Sequence, residues 1–283
     1  MLTLVFAPDG SPPDDRIARE VHLWRDDLGH TVARGFSAGG RRWITWLDVG
    51  TFGFSAGSRV VDAWPAAGAQ PDVVVRKFQT ILQPMILQAL GWQALHASAV
   101  SGPDGALALC GTAASGKSTI SFAMRRAGWT QIADDAVVMS VDDAHVTVHP
   151  LPFTSRLRET SFQHFAGPAN VLTDTQPPPD VSPKPLRAIV VLRQTADALR
   201  PSVVPVPLAQ AFSEILTHAH CFDATDRGEI QRLTQDYLTV AARVPVLALT
   251  YGAGLSGLTH VVAAIEEAAA GLGVERPAAA LSL

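Results

Sequence analysis

The sequence predicts an α/β fold preceded by a small β-rich region, and three observations predict it. From residue 76 onward, short apolar runs alternate with stretches of helical periodicity. One of those runs, Ala106–Cys110, leads straight into a glycine-rich loop and then a helix. Residues 1–75 instead hold short apolar pieces, such as Leu2–Phe6 and Trp43–Val49, between glycine-rich turns, which is the texture of short strands.

The bulk numbers agree with a buried core. Hydrophobic residues make up 47% of the 283 and charged residues 17%, which argues against disorder. The formal charge is −4, from 22 basic and 26 acidic residues, so the basic excess of a nucleic-acid binder is missing. Two cysteines, Cys110 and Cys221, give no disulfide framework and suit a reducing cytoplasm. The N-terminus lacks a basic, then apolar, signal segment, and no apolar run is long enough to span a bilayer. The expectation is a cytoplasmic protein that engages neither membrane nor nucleic acid.

The elements follow in order. Val75–Leu90 reads as a helix stopped by Gly91, with Pro84 kinking it or starting its second half. Leu95–Val100 and Ala106–Cys110 are two apolar runs joined by Gly102-Pro103-Asp104-Gly105, a hairpin signal. A hairpin entering the loop is a feature that a βαβ crossover would lack. Thr119–Ala127 is helical with Gly128 at the C-cap, and strands are expected at Gln131–Ala133, Ala136–Val141 and Val146–His149. Residues 166–186, carrying Pro177, Pro178, Pro179, Pro183 and Pro185, read as a long functional or mobile loop. Ala188–Leu192 and Pro245–Thr250 read as strands, and Leu208–Thr217, Ile230–Ala242 and Leu258–Ala270 as helices. The resulting organisation is an N-terminal region, 1–75, for acceptor recognition or assembly, a catalytic domain, 76–275, and a flexible tail, 276–283.

The loop is Gly111-Thr112-Ala113-Ala114-Ser115-Gly116-Lys117-Ser118, a full G-x-x-x-x-G-K-S match followed by Thr119. A loop of this length wraps a β-phosphate with successive backbone N–H groups, and its glycines permit the angles and close approach required. Lys117 supplies a point charge to the β- and γ-phosphates. Ser118 opens the helix, offers its hydroxyl to a magnesium ion and turns the helix dipole toward the anion. The loop therefore predicts binding of a nucleoside triphosphate with Mg2+.

Asp134-Asp135 follows Lys117 by 17 residues, after a short strand. Two adjacent carboxylates can divide the work of holding the metal and of taking a proton from an attacking hydroxyl. A plain Asp-Asp turn is the bland alternative, as expected for Asp142-Asp143. His96, on the strand paired with the one feeding the loop, either reaches the edge of the site or is a structural strand histidine.

Together these residues resemble the HPr kinase/phosphorylase family. The order Leu95-His96-Ala97, hairpin, P-loop, a helix ending Arg126-Ala127-Gly128, then Ala133-Asp134-Asp135 carries the resemblance over about residues 85–150 and more loosely to 270. The closer likeness is to shorter HPr-kinase-like proteins associated with peptide-modifying gene clusters, including lasso-peptide precursor kinases. The resemblance implies a P-loop kinase domain related to phosphoenolpyruvate carboxykinase, a mixed sheet with flanking helices, and an ATP- and magnesium-dependent kinase for a serine or threonine hydroxyl. The acceptor it implies is a peptide or small protein, such as the precursor of a modified peptide. It implies Asp134 as general base, Asp135 near the metal with Ser118, and His96 close to the acidic pair, and the family's hexamers imply self-association. The sequence departs from the HPr enzymes in lacking their Glu-x-Arg-Gly segment, for which residues 150–170 offer only Arg156-Leu157-Arg158-Glu159, and in its first 75 residues.

Weaker signals remain. Arg156 and Arg158 would share one side of a strand and contact an acidic peptide or a phosphate, or form a solvated surface pair. Lys184 and Arg187 flank the proline-rich loop and either approach the γ-phosphate on closure or are ordinary surface charges. His218, His220, Cys221 and Asp223 invite a metal reading that their spacing does not support. Trp43, Trp46, Phe52 and Phe54 read as the N-terminal core, with a peptide groove as the sharper option. Two other functions compete with the peptide kinase: a kinase of a small hydroxylated metabolite, and a nucleotide-binding regulatory module without catalysis.

Overall fold

The computed structural model describes residues 2–272 except 8, 9, 27, 143, 155, 156, 158, 166–181, 197 and 199. The Arg156/Arg158 pair, most of the proline-rich segment and the 276–283 tail lie outside the described residues. The architecture is mixed α/β, with a mixed sheet, flanking helices and a β-rich N-terminal region.

The N-terminal region is one six-stranded sheet. Its strands are β1 (Thr3–Phe6), β2 (Arg19–Arg25), β3 (Thr31–Ala38), β4 (Arg41–Trp46), β5 (Gly50–Ser55) and β6 (Val60–Pro65). β2 to β6 form an antiparallel meander, and β1 adds in parallel at the β6 edge. Trp43–Val49, expected as one run, is instead the end of β4 and a turn into β5, with Asp48 at φ 64°. Alternation gives the sheet two faces. Ile44, Phe52 and Phe54 face inward, whereas Trp43 packs outward on Phe36 and its indole N–H donates to Asp15 Oδ1 at 2.7 Å.

The inward face is covered by α1 (Pro71–Lys77), a π-helical turn (Phe78–Leu82) and α2 (Gln83–Ala89). Pro84 explains the break. It cannot donate a backbone N–H and its ring crowds the carbonyl four residues back, so the helix is re-registered just before it. Pro84 starts the second half, and Gly91, at φ 104°, ends it. Val74, Phe78, Leu82 and Ile86 bury one stripe against Ile44, Phe52 and Val61. The same core takes in Ala94, Val138 and Phe222 of the following domain. Two ion pairs reinforce the junction: Arg19 to Asp223 at 2.6 Å and Arg42 to Glu229 at 3.0 Å, both acids being almost fully buried.

The larger sheet is built from β7 (Gln93–Leu95), β8 (Ala97–Gly102), β9 (Gly105–Cys110), β10 (Thr130–Ala133), β11 (Val137–Val141), β12 (Val146–His149), β13 (Lys184–Thr195), β14 (Ser202–Pro205) and β15 (Val246–Gly252). Its order is β10-β8-β9-β13-β12-β11-β7, with β15 also on β13 and β14 on β15. β8 and β9 are the expected hairpin, while β9, β13 and β15 run parallel. On one face lie α3 (Lys117–Arg126) and, later in the chain, α7 (Leu258–Gly271). A short helix, α4 (Glu159–Phe165), lies between β12 and β13 in sequence. On the other face α5 (Leu208–Leu216) and α6 (Arg227–Arg243) close a core that includes Ile215, Leu233 and fully buried Tyr237. The Tyr237 hydroxyl donates to the Ala94 carbonyl at 2.9 Å, so its burial leaves no orphaned polar group.

Register decides what meets at the edge. Ala97 pairs with Cys110, the last residue before the loop, and Ala99 pairs with Ala133, just before the acid pair. The start of β8, the end of β9 and the end of β10 therefore lie at one end of the sheet. Leu186 pairs with Ala106 at the other end, which keeps Lys184 and Arg187 away from the glycine-rich loop and agrees with the surface-charge alternative.

Candidate active site

Three segments converge at that end. The first is the glycine-rich loop. Gly111 closes β9, and a Cβ there would collide with the Ser115 side chain. Ala114 at φ 67° and Gly116 at φ 87° take the left-handed region, which turns successive N–H groups toward one concave side. Gly116 caps α3, whose first N–H groups have no intrahelical partners. Thr112, Ala113 and Ala114 are exposed, while Ser115 and Lys117 are buried. The Lys117 ammonium donates to the Gly111 carbonyl at 2.8 Å and to the Thr112 carbonyl at 3.1 Å. Burial lowers its pKa, and Asp135 and Asp134 pull the other way. Tyr251, from β15, donates its hydroxyl hydrogen to the Ser115 carbonyl and holds the far side of the loop.

The second segment is the acid pair after β10. Asp134 is 5% exposed, and its Oδ1 accepts from Ser98 Oγ at 2.5 Å and from Ser118 Oγ at 2.9 Å. Asp135 points the other way, with its side chain 73% exposed and its backbone at φ 71°. A non-glycine residue in that region costs on the order of 1 kcal/mol or more, and Asp and Asn are the residues that bear it best.

The third segment is His96. It was expected on a strand, but it occupies the bend between β7 and β8, where the chain passes from one set of strands to another. The bend frees its ring from the pleat. Its Nδ1 lies 3.1 Å from the Asp135 carbonyl and 3.3 Å from Asp135 Oδ1. His220 packs edge-on against it at 6.2 Å. Burial, then the nearby His96, pushes the His220 imidazole down to about 4. The His218–Asp223 run does not gather round one point: Asp223 turns to Arg19, and no metal-holding group of three occurs among the described residues.

Two cavities meet at this junction. One, of about 300 Å³, is lined by the loop with Thr160, Gln194, Tyr251 and Leu258. The other, of about 410 Å³, lies between α1 and the acid pair and includes Arg76, Lys77, Thr80 and Thr154. Ser118 lines both, and Asp134 and Asp135 line the second.

Sequence reasoning missed several participants. Ser98 is a polar residue within the apolar run Ala97–Val100, and that incongruity was its signal. Ser161, whose hydroxyl lies 3.0 Å from that of Thr119, and Tyr251 arrive through tertiary packing and carried no local signal. Arg76 and Lys77 were legible only as charges on a helix.

The arrangement fits a magnesium nucleotide on two observations. The left-handed turns at Ala114 and Gly116 shape a loop whose own carbonyls hold the Lys117 ammonium, and among the described residues the buried Ser115 hydroxyl has no partner. Ser118 and the adjoining acids supply the hard oxygen donors magnesium takes. No helix among the described residues is long and apolar enough to cross a membrane.

No protein-family model and no curated protein matches the chain. Among solved structures, the Hpr(Ser) kinase/phosphatase from Coxiella burnetii is similar over 64% of this chain and 93% of its own, at 12% identity and a TM-score of 0.35. That likeness is too slight to carry structural or functional argument.

Proposed function

We propose that the protein is an ATP-dependent kinase that phosphorylates a serine or threonine hydroxyl on a peptide or small protein. One observation carries this reading: the loop cavity and the second cavity share Ser118, and the acid pair lines the second beside it. In-line phosphoryl transfer needs a triphosphate on one side, a hydroxyl on the other and a carboxylate where they touch. A regulatory nucleotide binder needs only the first cavity.

The loop N–H groups and Lys117 fix the triphosphate and balance the charge that grows on it. Magnesium, held by Ser118 and a neighbouring carboxylate, supplies further charge neutralisation when bound. The contacts favour a specific division of the acid pair. Asp134 is buried and bonded to Ser118, so it belongs with the metal. Asp135 is exposed to the second cavity and is steadied by His96, so it is placed to take the acceptor's proton. The family resemblance assigns these two roles the other way round, and the two divisions are separated by the variants described in the Discussion. A precursor of a modified peptide suits the acceptor role.

The test uses γ-labelled ATP with an array of immobilised serine and threonine peptides. Hydroxyl-dependent labelling that disappears in Lys117→Ala is expected. Nucleotide binding without labelling of any acceptor and without slow hydrolysis would favour the regulatory module instead.

A further inference from the structure

The second cavity has a charge pattern that the transfer chemistry alone does not require. Its floor is acidic, Asp134 and Asp135, while the α1 side is basic, Arg76 and Lys77. α1 presents these bases for a structural reason. Val74, Phe78 and Leu82 fall on the stripe buried against the N-terminal sheet, so Val73, Arg76, Lys77 and Thr80 must fall on the other. The Lys77 ammonium is stationed over the Trp46 ring at 4.3 Å, which fixes where that charge stands. Among the described residues the Arg76 guanidinium has a single long, exposed contact, to Asp72 at 4.0 Å, an ion pair too weak to hold it from a better partner.

We infer that α1 recognises an anionic group, a carboxylate or a phosphate, carried by the acceptor next to the hydroxyl that is phosphorylated. This rests on the kinase reading and names its substrate class. The anion docks on Arg76 and Lys77, and the hydroxyl then lies toward Asp134 and Asp135. The same rim disfavours a cationic acceptor, which the acid pair alone would attract.

The experiment titrates the protein, loaded with Mg2+ and a non-hydrolysable ATP analogue, with blocked five-residue serine peptides. The serine is flanked by glutamate, phosphoserine, alanine or lysine. At least one acidic peptide should bind about tenfold tighter than the alanine peptide, with the lysine peptide weakest. Whichever acidic peptide leads identifies the anion. The preference should survive Arg76→Lys, fade in Arg76→Gln and invert in Arg76→Glu, with melting curves confirming that each variant folds. Equal binding of acidic and alanine peptides, or an acidic preference that persists in Arg76→Glu, overturns the inference. Labelling the same peptides from γ-labelled ATP separates the two claims. Ordered binding without transfer supports the anion site and sinks the kinase, and transfer with no ordering does the reverse.

Discussion

Ser118 and Asp134 are joined by a 2.9 Å hydrogen bond that ties the loop built for phosphate to the strand that carries the acid pair. In the proposed kinase this serine would hold magnesium, and the carboxylate bonded to it would stand in the metal's neighbourhood. Asp135 is its sequence neighbour but is turned out by a left-handed backbone.

That division predicts different behaviour for two single-atom changes. Asp135→Asn tolerates the left-handed backbone, so the fold and magnesium-dependent nucleotide binding should persist. Transfer should fall by about 10²–10⁴-fold, the worth of a positioned base. Asp134→Asn should instead weaken the magnesium dependence of nucleotide affinity together with turnover. Single-turnover rates and magnesium titrations measure both, and the reverse pattern would restore Asp134 as the base.

Lys117→Ala should lower nucleotide affinity by about 10- to 100-fold, the range of a charged hydrogen bond. The melting temperature should change little, since among the described residues the ammonium bonds to the carbonyls of Gly111 and Thr112 alone. Calorimetric titration beside a thermal melt reads both, and unchanged affinity would remove the loop from the nucleotide site.

Arg42 neutralises Glu229 at 3.0 Å and donates to the Ala89 carbonyl at 2.6 Å. Burial raises the Glu229 pKa against the pull of Arg42. Arg42→Met leaves that acid without its counter-charge, and stability should drop by about 2–4 kcal/mol. The double change Arg42→Met with Glu229→Leu should recover part of the loss. Denaturant melts of the three variants decide it, and an additive double variant would mean the pair is not coupled.

Acid should destabilise the protein through its buried histidines. The unfolded chain takes up a proton on His220 near 6.5, whereas the folded chain does so only at about 4. Between those values the unfolded state holds more protons, so stability falls as pH falls, by on the order of 2–3 kcal/mol for this group. Above 6.5 both states are neutral there and the contribution to the slope vanishes. His22, His149 and His218, all pushed down chiefly by burial, act with the same sign. Denaturant melts from pH 4 to 7 should show a shallower slope for His220→Gln, and an unchanged slope would place the acid sensitivity elsewhere.

The loop and its hairpin were legible because their chemistry is local: glycines at fixed spacing, a Pro/Asp/Gly turn, an apolar strand ahead of a helix. The helix stop at Gly128 was legible for the same reason. The His96 bend was not, because it arises where one chain serves two sets of strands, and periodicity in Leu95–Val100 continues across it. Ser98 acquires its role only from an Asp134 brought in by strand pairing. The order of the N-terminal strands depends on tertiary register, and short, glycine-broken runs do not fix that register.

The helix from Pro71 to Ala89 is a shared wall, with the core of the N-terminal sheet behind Val74, Phe78 and Leu82 and the second cavity in front of Arg76 and Thr80. A wall common to two compartments makes them thermodynamically reciprocal. Whatever occupies the cavity and steadies the helix must slow amide exchange in strands β4 and β5, which never touch it. By the same reciprocity, a substitution at Phe52 that loosens this wall is expected to weaken binding in the cavity without changing a residue that lines it.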